Sequence, residues 1–189
     1  MNTGIFNGLF RSVAAAAVAA VAVATMAMAQ LCSAASPSAY RLELEFVDDH
    51  LSKRALAEWQ GRPVVIAMAY GACRSICSTT LRTLEAIQAR ADRINQPIEI
   101  LVVSIDPHDD TPQAWADYRK AHRLTRSNWT FLSGSVPATR KLGQFLGIRF
   151  WSYDEHVMHD FKIVRLGADG GVQAVLDWDH REPDLLFQH

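Results

Sequence analysis

Two stretches of this chain are apolar at nearly every position, residues 64–70 and residues 98–105. Their length, β-branched content and near absence of charge predict strands buried on both faces, bounded by Gly61-Arg62-Pro63 and by Pro97. Between them, residues 78–94 place Leu81, Leu84, Ile87 and Ala91 at spacings of three and four, the stripe of an amphipathic helix. Asp110-Thr111-Pro112-Gln113 is a helix start. Asp or Thr can cap, Pro sits where its missing N–H costs nothing, and Gln113 can close a capping box. That helix is expected to reach about His122. Residues 128–132 read as a short third strand, and Ser135-Val136-Pro137 opens a helix running to about Phe145. Residues 161–166, a Gly167–Gly171 turn and residues 172–178 form a hairpin. Strand, helix, strand, helix, strand, helix and terminal hairpin argue for a central sheet flanked by helices, and a thioredoxin-like α/β fold fits that order.

The N-terminal pattern is of another kind. From residue 13 to residue 29 Thr25 is the only polar side chain, and Arg11 precedes the run. This is the pattern of an export signal, with Ala27-Met28-Ala29 supplying small residues for cleavage after Ala29. The competing reading is an uncleaved membrane anchor, for which an alanine-rich run falls short of the ~20 residues that span a bilayer core. Lipidation of Cys32 is a further route, opposed by bulky Leu31 where a small residue is wanted. The expected organisation is a signal peptide or anchor over 1–29, a Ser- and Ala-rich flexible tether over 30–42, and one domain over 43–189. The destination is outside the cytoplasm, most simply a bacterial periplasm, where thiols oxidise unless kept reduced.

Composition narrows the functional classes. The 189 residues are 49% hydrophobic and 21% charged, so a packed core can form. A net charge of −1 provides no general field for nucleic acid or anionic lipid, and any membrane contact is expected only through the N-terminal segment. Three cysteines are too few for a disulfide-stapled scaffold, so each needs its own explanation.

Cys73 and Cys77 stand where the first buried strand gives way to the first helix. In a helical turn, residues four apart share a face, with β-carbons ~5–6 Å apart, so the two sulfurs can hold a metal ion or close a disulfide. Unpaired N–H groups at a helix start, together with Arg74, favour thiolate, which is both nucleophile and metal ligand. The plain alternative is an inert disulfide or two small core residues, although so short a loop gains little from closure. A metal would need a third ligand, and imidazole completes a soft two-sulfur site well. Seven histidines compete. His159 lies just before the 161–166 strand, a junction that a thioredoxin-like topology carries past the first strand-to-helix turn. His156 is three residues earlier, and Met158 offers a soft sulfur. Zinc on the same residues, completed by His156 or water, is a further possibility, though three residues between cysteines is a less common zinc spacing than two.

Several ordered blocks resemble the Sco (SenC-like) copper chaperones of cytochrome c oxidase assembly. They are the strand into Cys73 and Cys77, Thr79-Thr80-Leu81, Ser104-Ile105-Asp106-Pro107 with Asp110-Thr111-Pro112, Trp129-Thr130-Phe131-Leu132-Ser133-Gly134, and His159 ahead of an apolar strand and its glycine turn. The similarity covers about residues 45–170. It implies a copper-binding chaperone in which Cys73, Cys77 and His159 hold one copper ion. Its partners would be an upstream copper donor or a copper-receiving oxidase subunit with a dinuclear copper centre. The alternative is a metal-independent thiol–disulfide oxidoreductase in which Cys73 and Cys77 form the redox-active pair and reduce a partner's cysteines. Members usually carry proline after each cysteine, where this chain has Arg74 and Ser78, and a small hydroxyl residue after the histidine, where it has Asp160. Asp106, Asp110 and Thr111 could organise the site, but a loop and a helix cap account for them and are the expected reading, and His108 and His122 are expected to be solvated. The stretch 150–158 interleaves aromatic and polar residues beside His159 and reads equally as a docking loop or as packing under a long loop.

Overall fold

In the computed structural model, which describes residues 36–71, 76–154 and 156–188, the elements in chain order are β1 (Glu45–Asp48), β2 (Lys53–Ala55), β3 (Val64–Ala69), α1 (Ile76–Arg93), β4 (Glu99–Ser104), α2 (Pro112–Ala121), β5 (Trp129–Gly134), α3 (Val136–Leu146), β6 (Phe150–Tyr153), β7 (His156–His159), β8 (Ile163–Leu166) and β9 (Val172–Leu176). The expected signal, Cys32 and Cys73 lie outside the described residues. Cys77 is described only as a helical backbone position. Among the described residues, no helix is long and apolar enough to cross a membrane.

Seven strands pair in the order β2-β1-β5-β4-β3-β8-β9. β3, β4 and β5 run parallel, joined through α1 and α2, while β8 returns antiparallel along the other side of β3. All six residues of β3 are buried, as its unbroken apolar run requires of a strand covered on both faces. In α1 the predicted stripe packs inward through Leu84, Ile87 and Ala91. Thr111 and Ser135 cap α2 and α3 through their hydroxyls, and Gly147 ends α3 at φ +64°. This is a central sheet flanked by helices, the thioredoxin-like architecture expected from the element order.

Four features differ from the sequence reading. Thr111, not Asp110, caps α2, and Gln113 bonds Asp117 in the next turn instead of closing a capping box. The packed chain begins inside the stretch expected to be a tether, because Ser38 caps a short 3-10 turn (Ala39–Arg41) whose Ala39 and Tyr40 are buried. The β1–β2 hairpin was not anticipated, since its buried positions include Asp48 and its polar residues break the alternation. The stretch over 150–158 is not a loop. β6 and β7 form a separate two-stranded hairpin.

Candidate metal and redox site

The segment carrying the cysteines leaves the C-terminal end of β3, where parallel α/β sheets place their ligand sites. Tyr70 and Gly71 are its last described residues before α1 resumes at Ile76. β8 begins beside this end, with Ile163 opposite Ala67. Continuing that antiparallel register carries the residues before β8 past those after β3, so residue 160 comes level with residue 70. The rings bear this out: His159 meets Tyr70 edge-on, centroids 6.1 Å apart at 79°.

His159 is 4% exposed. Its Nδ1 lies 2.9 Å from the carbonyl oxygen of Asp160, so the ring donates from Nδ1 and carries its lone pair on Nε2, the tautomer of a metal ligand fixed by a second bond. Burial pushes the imidazole pKa below its ordinary value, only partly opposed by the Asp160 carbonyl and charge, and this favours the neutral, coordinating form.

Asp160 closes the hairpin that presents His159. Its carboxylate accepts from Arg149 Nε and Nη2, each at 3.0 Å, and from the Arg149 backbone N–H at 3.1 Å. The Asp160 N–H donates back to the Arg149 carbonyl at 3.0 Å. The guanidinium holds the Asp160 carboxyl below the usual carboxylate range. The aspartate that departs from the family's usual small residue thus has a local reason, a paired clamp at the base of β6–β7.

On the other side of the same strand end, Asp110 reaches across the fold. Its Oδ1 accepts the Gly71 N–H at 2.8 Å and its Oδ2 accepts the Ser104 hydroxyl at 2.7 Å. Ser104 Oγ in turn accepts the Asp106 N–H at 2.9 Å. Burial raises the Asp110 pKa to about 6; the bonds from Ser104 and Gly71 oppose the rise, and the charges of Asp106 and Asp109 add to it. Sequence reasoning placed Asp110 in a loop and cap. The structure assigns it an anchor for the backbone two residues before Cys73. The signal available was its place in the Asp106–Thr111 block, but its partner lies 39 residues away.

His108 and His122 are exposed, as expected, with His108 on Asp109 and His122 stacked on Tyr118. Among the described residues, no group of three His, Cys, Asp or Glu side chains forms a metal cluster. The described geometry therefore gathers His159, Tyr70, Gly71 and Asp110 at the C-terminal end of β3.

A central sheet flanked by helices, with a buried imidazole against Tyr70 just past the end of β3, defines a thioredoxin-like protein. The SCO1/SenC family model matches residues 33–188, and the chain belongs to that family. It is 26% identical over 139 residues to a Stutzerimonas stutzeri protein named "Putative copper-binding protein", covering 70% of this chain and 66%, just under two thirds, of that relative. Yeast Sco1 with copper bound is similar at 16% identity and a TM-score of 0.69, over 81% of this chain and 88% of that one. BsSco, described as a member of the Sco family of cytochrome c oxidase assembly proteins with a disulfide switch, is similar at 20% identity and a TM-score of 0.64, over 75% and 85%.

Proposed function

We propose that this protein is an exported copper carrier in which the Cys73 and Cys77 thiolates and His159 Nε2 hold one copper ion as cargo and release it to the dinuclear copper centre of a respiratory oxidase. The observation that carries the reading is the buried His159 ring against Tyr70, three residues before Cys73, with its Nδ1 committed to Asp160. Two thiolates and an imidazole are a soft donor set suited to Cu(I). Transfer is ligand exchange: a partner thiolate binds the metal, a carrier ligand leaves, and no electron moves. Family membership and the copper-bound relative support the cargo. The delivery target follows the resemblance. Residues 1–29 support export, with cleavage after Ala29, to a periplasm.

The disulfide switch named for BsSco favours a second use of the same sulfurs. A thiolate of the Cys73–Cys77 pair attacks a partner disulfide, the other thiolate resolves the mixed disulfide, and the partner leaves as a dithiol while the pair is oxidised by two electrons. His159→Ala separates the two readings. Copper stoichiometry and affinity are measured on the reduced protein beside Cys73→Ser, Cys77→Ser and His159→Ala, with disulfide exchange followed in parallel. The carrier reading requires tight copper binding to be lost in all three and exchange to survive in His159→Ala. Full copper affinity in His159→Ala overturns it.

A further inference from the structure

We propose that the outward face of the β6–β7 hairpin is a second Cu(I) site, with the His156 imidazole and Met158 Sδ as ligands and the Trp151 ring as its wall. The hairpin register puts Trp151 opposite Met158 and Tyr153 opposite His156. Directly paired residues of an antiparallel ladder share a face, with β-carbons ~4.5–5.5 Å apart. These four therefore stand together, while Phe150 and His159, also paired, share the other face. Burial follows the same division. Trp151, Tyr153 and Met158 are 50%, 63% and 40% exposed and His156 is exposed, whereas His159 is buried and Phe150 and Val157 are half-buried.

His156 and Met158 are two positions apart on one strand, about 6.8 Å along it at ~3.4 Å per residue. An imidazole and a flexible thioether at that separation can close on one ion between them. Thioether sulfur selects Cu(I) over harder ions, and an uncharged nitrogen–sulfur pair suits a monovalent ion better than a divalent one. The indole face opposite Met158 can attract the cation through its ring quadrupole, tryptophan being the strongest aromatic for this contact. Packing does not explain the methionine: the other described methionine, Met68, is 2% exposed in the core, while Met158 stands in solvent beside Trp151.

Met158 and His159 are consecutive, so their side chains leave opposite faces of the strand. The outer pair and the inner imidazole are back to back. This site rests on its own residues and stands whether or not Cys73, Cys77 and His159 form the inner one.

The test uses Cu(I), supplied anaerobically as its acetonitrile complex, and a protein carrying Cys73→Ser and Cys77→Ser, so that the inner sulfurs are gone. The readouts are the Met158 ε-methyl resonance, Trp emission and ion stoichiometry. One equivalent should bind, move the Met158 methyl and quench emission, with the quench lost in Trp151→Phe. Affinity should fall at least as far as loss of a ligand's outer partner causes, about tenfold to a hundredfold, in both Met158→Leu and His156→Ala, and stay unchanged in His159→Ala. A Met158 methyl that does not move at one equivalent, or undiminished affinity in the His156→Ala, Met158→Leu pair, overturns the proposal. In the unsubstituted cysteine protein, loss of the inner equivalent alone would count against the carrier reading and leave this site standing.

Discussion

Replacing Asp110 with Asn isolates the electrostatic cost of anchoring the cysteine segment. In the folded chain the carboxyl binds its proton more tightly than in the unfolded chain, with a pKa of about 6 against 3.8. The carboxyl therefore supports folding below pH 3.8, and that support is lost as pH rises through about 6. Moving the pKa from 3.8 to about 6 corresponds to about 3 kcal/mol. Asn cannot ionise, yet its carbonyl oxygen can still accept the Gly71 N–H, and its amide can donate to Ser104 Oγ after the hydroxyl turns. The stability of Asp110→Asn relative to the unsubstituted protein should therefore rise by about 2 kcal/mol between pH 4 and pH 7, the rest of the effect lying outside that range. Urea unfolding of both proteins, fully reduced, at intervals across that range measures it. Subtracting the curves removes the contribution of His159, which runs the other way and is present in both. A difference that stays flat with pH refutes the buried-carboxylate reasoning. Asp110→Ala supplies the contrast: it leaves the Gly71 N–H and the Ser104 hydroxyl without their acceptor, at about 1–3 kcal/mol for each group that stays dry, and loosens the backbone ahead of Cys73.

Three further outcomes follow from the same geometry. The His159 ring should titrate below 6.5 by NMR, because burial depresses it; the stability it confers is present above pH 6.5 and lost as pH falls through the lower, folded value, and a midpoint at or above 6.5 contradicts the buried tautomer. Asp160→Ala removes the Arg149 clamp, so hydrogen exchange should quicken at β6–β7 amides while β3 amides keep their protection; unchanged hairpin exchange counts against the clamp. Gly134→Ala would put a β-carbon 2.8 Å from the Phe46 ring across the β1–β5 ladder, and thermal or urea unfolding should show a loss of about 1–3 kcal/mol.

The elements legible in the sequence were those whose burial is uniform along the chain. β3 and β4 are apolar throughout and α1 carries a regular stripe, so composition and period agree. β1 escaped because Asp48 and the following Asp49 are buried charges, Asp48 held by backbone N–H groups of the adjoining turn and Asp49 by a distant arginine. Asp48 accepts the His50 and Ser52 N–H groups, and Asp49 pairs with Arg119 at 2.8 Å. A local pattern scores such residues as loop. The hairpin over 150–159 escaped because only one of its faces packs. At the candidate site, Cys73, Cys77 and His159 were singled out by residue type and order, since sulfur and imidazole announce their chemistry, and the structure describes His159 of the three. For Asp110 a site-organising role was weighed and the cap preferred, because a carboxylate before a helix looks like a cap until the fold brings Gly71 to it. Asp160 was read only as a departure, and its meaning lies in Arg149 across the hairpin.

X-ray absorption of the protein loaded with one equivalent of Cu(I) tests most directly whether Cys73, Cys77 and His159 meet on one ion. In a His156→Ala background, so that the outer imidazole cannot contribute, the account predicts two sulfur scatterers and one imidazole, with the imidazole signal lost on adding His159→Ala. An imidazole signal that survives that substitution, or a copper shell without sulfur, contradicts it.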